Sequence, residues 1–270
     1  MQLNSLQFNV AGGHPLVVLH GLFGAHDNWR SHAITWSEER QVIVMDLRNH
    51  GMSGHSSVMD YATMAQDVSQ TLNQLKLAKV DLLGHSMGGK VAMQLALDYP
   101  NQLRSLLIAD IAPVVYEPHH QTILAGLNSI NLSRLKSRQQ ALNLLMDFEP
   151  DMRVCQFLLK SLYKNDQGRF SFRYNLSAIE ANYPAISAAP ITSVQALANS
   201  PNAAPGSYIG PTLVIKGANS CYILPQHKAA FERLLPNSQL KIMADCGHWL
   251  HAEKPELFCR LVSRFLNQID

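Results

Sequence analysis

Short apolar runs that alternate with helical patterns constrain the fold of this chain more than any other feature. Runs of four to six residues that are rich in Leu, Val and Ile are typical of strands buried on both faces. Between them, residues 64–75 and 87–99 carry apolar side chains at helical spacing. This alternation predicts an α/β fold with a mostly parallel central sheet flanked by helices. The six runs span residues 16–20, 42–46, 80–84, 106–110, 212–217 and 240–243.

The pattern changes between residues 116 and 205, where helical segments occur without a clear strand run. The segment ends in a loop, 199–206, that is rich in Pro, Asn and Ala. We therefore expect residues 1–115 and 206–270 to form an α/β core that residues 116–205 interrupt as a helical cap. Six apolar cap residues could line a pocket or form the core of the cap: Phe148, Phe157, Leu158, Tyr163, Phe170 and Phe172.

Composition excludes several classes of protein. The chain has 270 residues, 47% of them hydrophobic and only 16% charged, which excludes an intrinsically disordered protein. The net charge of +2, without a basic run, argues against a nucleic-acid partner. We expect no membrane anchor, because no apolar stretch approaches the 20 or so residues that a spanning helix needs.

The cysteines and the N-terminal residues bear on the cellular compartment. Four cysteines are scattered without a CxxC pair, which fits neither a zinc site nor a disulfide framework. The first ten residues have no basic segment followed by an apolar one, as a secretory signal would. We therefore expect a cytoplasmic protein with reduced thiols and no metal.

The strongest functional motif is Gly84-His85-Ser86-Met87-Gly88, which follows a predicted strand and opens a predicted helix. In that context G-x-S-x-G is typical of a nucleophile elbow. Small residues at 84 and 88 let the chain reverse in one tight turn, which strains the backbone at Ser86. The N-terminus of the helix beneath favours developing negative charge. The motif predicts that Ser86 is a nucleophile.

A glycine-containing loop, His20-Gly21-Leu22-Phe23-Gly24, follows the first apolar run. A serine hydrolase stabilises an oxyanion with two backbone N–H groups, one after the nucleophile and one from a loop of this kind. We expect these donors to be the amides of Met87 and Leu22, with Phe23 as the alternative to Leu22.

A nucleophilic serine also needs a general base, and His248 is the best candidate among 12 histidines. It follows the last predicted strand, where a loop can place an imidazole over the elbow. His251, three residues later, is the competing candidate. His20, His50 and His85 lie at other strand ends, where hydrogen-bonded structural histidines are more common.

The acid that orients the histidine is less obvious. The loop after the predicted strand 212–217 is the usual position, yet it contains no carboxylate before Glu232. Asp110 ends the strand predicted to neighbour the elbow, and Asp245 lies three residues before His248. We favour Asp110, because the Asp245 side chain would more easily cap its own loop than reach the far ring nitrogen.

These motifs resemble the α/β-hydrolase fold family along the whole chain, and most of all the bacterial YbfF-type serine esterases. The resemblance implies a cytosolic serine esterase with a helical cap and an acid displaced to Asp110. Ester hydrolysis by a serine nucleophile needs no metal or organic cofactor, and we expect none. The closer match is carried by His20 to Gly24, Asp46 to Gly51, Gly84 to Lys90, Asp110 to Pro113, Gln156 to Ser161, Gly217 to Ser220 and Gly247 to Pro255.

The sequence favours a carboxylester hydrolase that acts on small to medium acyl esters through an acyl-enzyme. The small-molecule substrate could instead be an acyl-CoA thioester, cleaved by the same residues. The same fold also hosts C–C hydrolases or lyases and ligand receptors without turnover. Serine at position 86 excludes the members of the fold that use an aspartate nucleophile at this site. The oligomeric state is not predicted.

Overall fold

The computed structural model describes residues 1–8, 13–191 and 206–269. A seven-stranded sheet forms its centre, in the order β1-β3-β2-β4-β5-β8-β9. All neighbouring strands pair in parallel except β1, which is antiparallel to β3. The strands are β1 (Ser5–Phe8), β2 (Leu16–Leu19), β3 (Val42–Met45), β4 (Val80–His85), β5 (Leu103–Ala109), β6 (Leu162–Lys164), β7 (Phe170–Phe172), β8 (Thr212–Gly217) and β9 (Ser238–Met243).

Helices cover both faces of this sheet, so the predicted α/β fold is confirmed. Alternate residues of β2 face two different cores, Val17 and Leu19 on one side and Leu16 and Val18 on the other. The first core is closed by α2 and α3, and the second by α1 and α11. The helices are α1 (Arg30–Trp36), α2 (Tyr61–Gln74), α3 (Met87–Asp98), α4 (Gln121–Ser129), α5 (Arg138–Met146), α6 (Met152–Leu159), α7 (Leu176–Ala181), α8 (Tyr183–Ser187), α9 (Lys228–Leu234), α10 (Leu250–Glu253) and α11 (Pro255–Ile269).

The six predicted strands correspond to β2, β3, β4, β5, β8 and β9. Strand β1 was not predicted, because it is an antiparallel edge strand with the sequence Ser-Leu-Gln-Phe. Its residues are only half-buried or exposed, so it lacks the continuous apolar run of a strand covered on both faces.

The segment between β5 and β8 contains α4 to α8 and a small hairpin. The expectation that no strand occurs here was wrong, since β6 pairs with β7 in antiparallel fashion. Each of these strands has only three residues, too few for an alternating pattern to be recognised. Helix α6 ends at Leu159 because the chain turns there into β6.

This segment contacts the core near the carboxyl ends of the parallel strands. The Tyr61 hydroxyl in α2 donates a hydrogen bond to the Ile186 carbonyl in α8. The Lys90 ammonium in α3 donates to the carbonyls of Ser187, at 3.1 Å, and Ala188, at 2.5 Å. The described part of the predicted cap is therefore fixed beside the first turn of α3. The predicted loop 199–206 lies outside the described residues up to position 205.

Limited proteolysis tests the predicted division at residues 116–205. We expect the first cuts near 116–120 or 199–206, because Val115 and residues 117–119 are exposed, whereas β4, α3 and β5 are almost wholly buried. A brief digestion with proteinase K, followed by mass spectrometry of the fragments, identifies the sites. Heat-denatured protein, cut without this preference, is the control. First cuts within 80–110 would contradict the division.

Candidate active site

Ser86 occupies a strained turn between β4 and α3. Its backbone has φ 53° and ψ −120°, a conformation that non-glycine residues rarely adopt. The turn is held from both sides, since the Ser86 N–H donates to the Ala109 carbonyl at 3.0 Å and the Gly89 N–H donates to the Ser86 carbonyl at 2.9 Å. This turn projects the Ser86 hydroxyl from the end of the sheet.

The two glycines of the motif permit this turn because backbone atoms approach them closely. A Cβ atom on Gly84 would lie 2.2 Å from the Gly88 carbonyl oxygen. A Cβ atom on Gly88 would lie 2.5 Å from the His20 carbonyl oxygen at the end of β2. Both distances are shorter than any real contact of a Cβ atom, so positions 84 and 88 are restricted to glycine.

His248 lies in the loop between β9 and α10 and contacts both of its predicted partners. Its Nε2 is 3.0 Å from the Ser86 hydroxyl oxygen, and its Nδ1 is 2.8 Å from Oδ2 of Asp110. In this arrangement Nδ1–H donates to the carboxylate, and Nε2 is left to accept the serine proton. The Tyr222 ring stacks on the imidazole with 3.8 Å between ring centres.

Asp110, at the end of β5, is fully buried and has a φ of 52°. Its Oδ1 accepts a hydrogen bond from the Gly217 N–H at 3.0 Å, and Oδ2 accepts from the Ser220 hydroxyl and from His248. A buried carboxylate is tolerated when it is hydrogen-bonded in this way. The loop after β8 therefore supplies donors to the carboxylate rather than the carboxylate itself.

Neither of the competing side chains, Asp245 and His251, forms a hydrogen bond with Ser86 among the described residues. The Asp245 side chain is 89% exposed and lies 3.5 Å from the Lys254 ammonium. His251 is buried with its ring stacked on Trp29 at 4.4 Å. Burial and the neighbouring His85 and His32 hold the pKa of His251 well below its usual value.

The histidines at the other strand ends have structural contacts. His20 Nε2 accepts the Leu47 N–H at 3.0 Å, and His50 Nε2 accepts the Phe23 N–H at 3.1 Å. The Nε2–H of His85 donates to the His248 carbonyl at 3.0 Å. Burial lowers the pKa of His50 and of His85 to about 3, so both rings are neutral near pH 7.

These contacts distinguish the two amides proposed for the loop after β2. The Phe23 amide already donates to His50, whereas the Leu22 amide has no hydrogen-bond partner within residues 1–8, 13–191 and 206–269. Met87 is the first residue of α3, so its N–H has no acceptor one turn earlier within the helix. The geometry therefore leaves the Leu22 and Met87 amides, rather than that of Phe23, available to an oxyanion.

Ser86 opens into a cleft with two arms. Among the described residues, only Leu22, Ser86 and His120 line both arms. The apolar arm is lined by Ile123, Val154, Phe157, Leu158 and Trp249. The tyrosine arm is lined by Tyr61, Lys90, Tyr116, Tyr183 and Tyr222. Of the six apolar cap residues considered from the sequence, Phe157 and Leu158 line the cleft.

Sequence reasoning did not single out His120 or Tyr222, although both contact the site. The available signal for His120 was composition, because His119 and His120 are the only histidines in the sequence between 116 and 205. Tyr222 had no comparable signal. Among the described residues no cluster of His, Cys, Asp and Glu is arranged to hold a metal ion, and none of the described helices could span a bilayer.

A family model for the α/β hydrolase fold matches residues 14–255. The chain belongs to the α/β-hydrolase fold family. Its relatives there include esterase YbfF of Escherichia coli, which is 34% identical over 96% of this chain and 95% of its own. A Haemophilus influenzae protein named as an esterase/lipase is 38% identical, covering 94% of this chain and 83% of its own. The expected resemblance to YbfF-type proteins is confirmed.

A solved structure agrees with these relatives. The structure of a marine microorganism esterase has a TM-score of 0.91 and 32% sequence identity, and the match covers 98% of this chain and 99% of that one. The agreement includes the described part of the segment between β5 and β8, since nearly the whole of both chains is aligned.

Replacement of Gly84 tests the close packing at the elbow of this α/β hydrolase. We expect Gly84→Ala to lower the free energy of unfolding by about 3 kcal/mol or more, the upper range for overpacking, because its Cβ meets rigid backbone. Gly54→Ala is the matched control, since a Cβ there meets only the flexible Met1 side chain at 3.2 Å. Urea unfolding measures both, and equal stabilities would contradict the packing argument.

Proposed function

We propose that this protein hydrolyses carboxylic esters through an acyl-enzyme intermediate on Ser86. The observation that carries the proposal is the hydrogen-bonded series from the Ser86 hydroxyl through His248 to the buried Asp110 carboxylate. That series is the arrangement by which a serine becomes a nucleophile. The expectation of a serine ester hydrolase also agrees with the esterase names of its relatives.

Acylation begins when His248 Nε2 accepts the Ser86 proton as Oγ attacks the acyl carbon. The carbonyl oxygen becomes an oxyanion, which the free amides of Leu22 and Met87 stabilise. The N-terminus of α3 adds a favourable dipole at the same position. Asp110 keeps the proton on Nδ1 and stabilises the imidazolium that forms on His248.

Collapse of the tetrahedral intermediate breaks the bond between the acyl carbon and the alkoxy oxygen. The imidazolium of His248 gives its proton to that oxygen, and the alcohol leaves. A water molecule then donates its proton to Nε2 while its oxygen attacks the acyl carbon. Breakage of the acyl–Oγ bond, with return of the proton to Ser86, releases the carboxylic acid and restores the enzyme.

We further propose that residues 116–205 act as a cap that selects small to medium acyl esters. Phe157, Leu158 and Trp249 give the apolar arm of the cleft a surface suited to hydrocarbon groups. We also propose a cytoplasmic location, because all four cysteines are free thiols and three of them are buried.

Replacement of the nucleophile tests the proposed activity. Ser86→Ala should lower kcat by a factor on the order of 10⁶, the loss found when a serine hydrolase nucleophile is removed, while the fold is retained. Hydrolysis of p-nitrophenyl acetate, labelling by a fluorophosphonate probe and circular dichroism measure these effects. Ser133→Ala, which removes an exposed serine, should behave as the wild type. Ester hydrolysis near the wild-type rate in Ser86→Ala would refute the proposal.

Replacement of the two candidate acids tests the role of Asp110. Asp110→Asn should lower kcat by about 10⁴, because the neutral amide can neither hold the tautomer of His248 nor balance its charge. Asp245→Asn, at an exposed position, should cost less than about tenfold. Steady-state kinetics with p-nitrophenyl acetate compares the two variants. The reverse order of effects would assign the acid to the histidine loop.

A further inference from the structure

His120 lies where the two arms of the cleft meet. It directly precedes α4. Like Leu22 and Ser86, it lines both arms. Ser86 supplies the proposed nucleophile and Leu22 a proposed oxyanion donor. His120 therefore lies beside the point at which the ester carbonyl would react, on the side of the predicted cap.

Tyr183 in α8 fixes the orientation of the His120 ring. The phenol oxygen accepts the His120 backbone N–H at 3.2 Å, and it lies 2.6 Å from ring Nδ1. Among the described residues, the acceptor within reach of the Tyr183 hydroxyl proton is Nδ1 of His120. The hydroxyl therefore donates to Nδ1. The ring proton of the neutral imidazole must then be on Nε2.

The neutral form of His120 is strongly favoured. Burial, together with the nearby His119 and His248, lowers the pKa of His120 to about 3. Nε2 makes no hydrogen bond to another described residue. His120, which lines the cleft, thus keeps an unused ring N–H at every pH near neutrality, including the moment when His248 carries a positive charge.

The adjacent histidine differs in this respect. His119 Nδ1 bonds to the Glu117 carbonyl at 2.9 Å, and its Nε2 lies 2.6 Å from the Tyr222 hydroxyl. Both ring nitrogens of His119 are therefore occupied by protein groups. Of the two neighbouring rings, only that of His120 has a nitrogen left for a ligand.

We propose that Nε2–H of His120 donates a hydrogen bond to the alkoxy oxygen of the ester during acylation and to the attacking water during deacylation. This inference rests on the proposed ester hydrolysis. The two oxygens occupy one position, because water enters where the alcohol left and each exchanges a proton with His248 Nε2. A single N–H at that position serves both half-reactions.

The hydrogen bond from His120 transfers no proton in either half-reaction. In acylation, the bond between acyl carbon and alkoxy oxygen breaks, and the proton that completes the alcohol comes from His248. In deacylation, the water proton passes to His248 as the new carbon–oxygen bond forms. His120 keeps its proton throughout and orients an oxygen lone pair, which makes it a hydrogen-bond donor to the reacting oxygen rather than a general acid.

A set of three variants tests this role. His120→Leu removes the donor, His120→Gln carries an amide N–H near the place of Nε2, and His120→Asn carries one near the place of Nδ1. p-Nitrophenyl acetate is the substrate, because the nitro group delocalises the charge of the departing p-nitrophenolate, so acylation depends on a hydrogen bond to that oxygen far less than deacylation does. Stopped-flow absorbance separates the first turnover from the steady state, and mass spectrometry detects the acyl-enzyme.

We expect His120→Leu to release about one p-nitrophenolate per active site at the wild-type rate and then to turn over about 10- to 100-fold more slowly, less than the loss of an oxyanion-hole donor causes. The acetyl-enzyme should accumulate. His120→Gln should restore most of the steady-state rate, and His120→Asn should not.

Other outcomes overturn the inference in identifiable ways. If the first turnover slows in parallel with the steady state, His120 acts by shaping the cleft and not as a donor in deacylation. If His120→Leu turns over as the wild type, or His120→Asn is as active as His120→Gln, no N–H at the Nε2 position is needed. Each of these results leaves ester hydrolysis intact, whereas an active Ser86→Ala variant would remove the proposed function itself.

Discussion

The positive φ of Ser86 is maintained by backbone atoms from three parallel strands, and the rest of the site depends on it. Ser86 directly follows β4, its N–H bonds to the last residue of β5, and Gly88 lies against the carbonyl groups at the end of β2. The register aligns Gly84 with Leu19 and His85 with Ala109. Because these strands end at the same edge, the hydroxyl, the carboxylate of Asp110 and the amide of Leu22 converge there.

A second constraint is electrostatic. Burial keeps the pKa values of His20, His50, His85 and His251 below the usual value, so these rings act as neutral donors and acceptors that hold loops. His248, whose side chain is 19% exposed, is the ring that contacts both serine and carboxylate. In the proposed reaction, the positive charge is thereby confined to the ring that Asp110 can stabilise.

The sequence was sufficient for the central sheet and for the residues that meet at its edge. Strands buried on both faces need continuous apolar runs, and the tight turn at Ser86 needs glycines, so both leave local signals. Edge strand β1 and the hairpin of β6 and β7 leave weaker ones, because half-buried strands of three or four residues tolerate polar side chains.

Contacts between distant segments could not be predicted in the same way. The stacking of Tyr222 on His248 and the pairing of Tyr183 with His120 depend on loop and helix positions that no local pattern specifies. The sequence also left Phe23 as an alternative to Leu22, which only the contact between the Phe23 amide and His50 distinguishes. The division at residues 116–205 and the assigned roles stay predictions.

The attachment of Asp110 to β5, rather than to the loop after β8, has a mechanical consequence. Ser86 and Asp110 extend from adjacent strands joined by hydrogen bonds, so the sheet sets the spacing between the proposed nucleophile and the carboxylate. Only His248 is carried by a separate loop and inserts between two fixed points. Of these three groups, only His248 can therefore change position without a change in the sheet. The surfaces that select the substrate can diverge while the sheet preserves the spacing of Ser86 and Asp110.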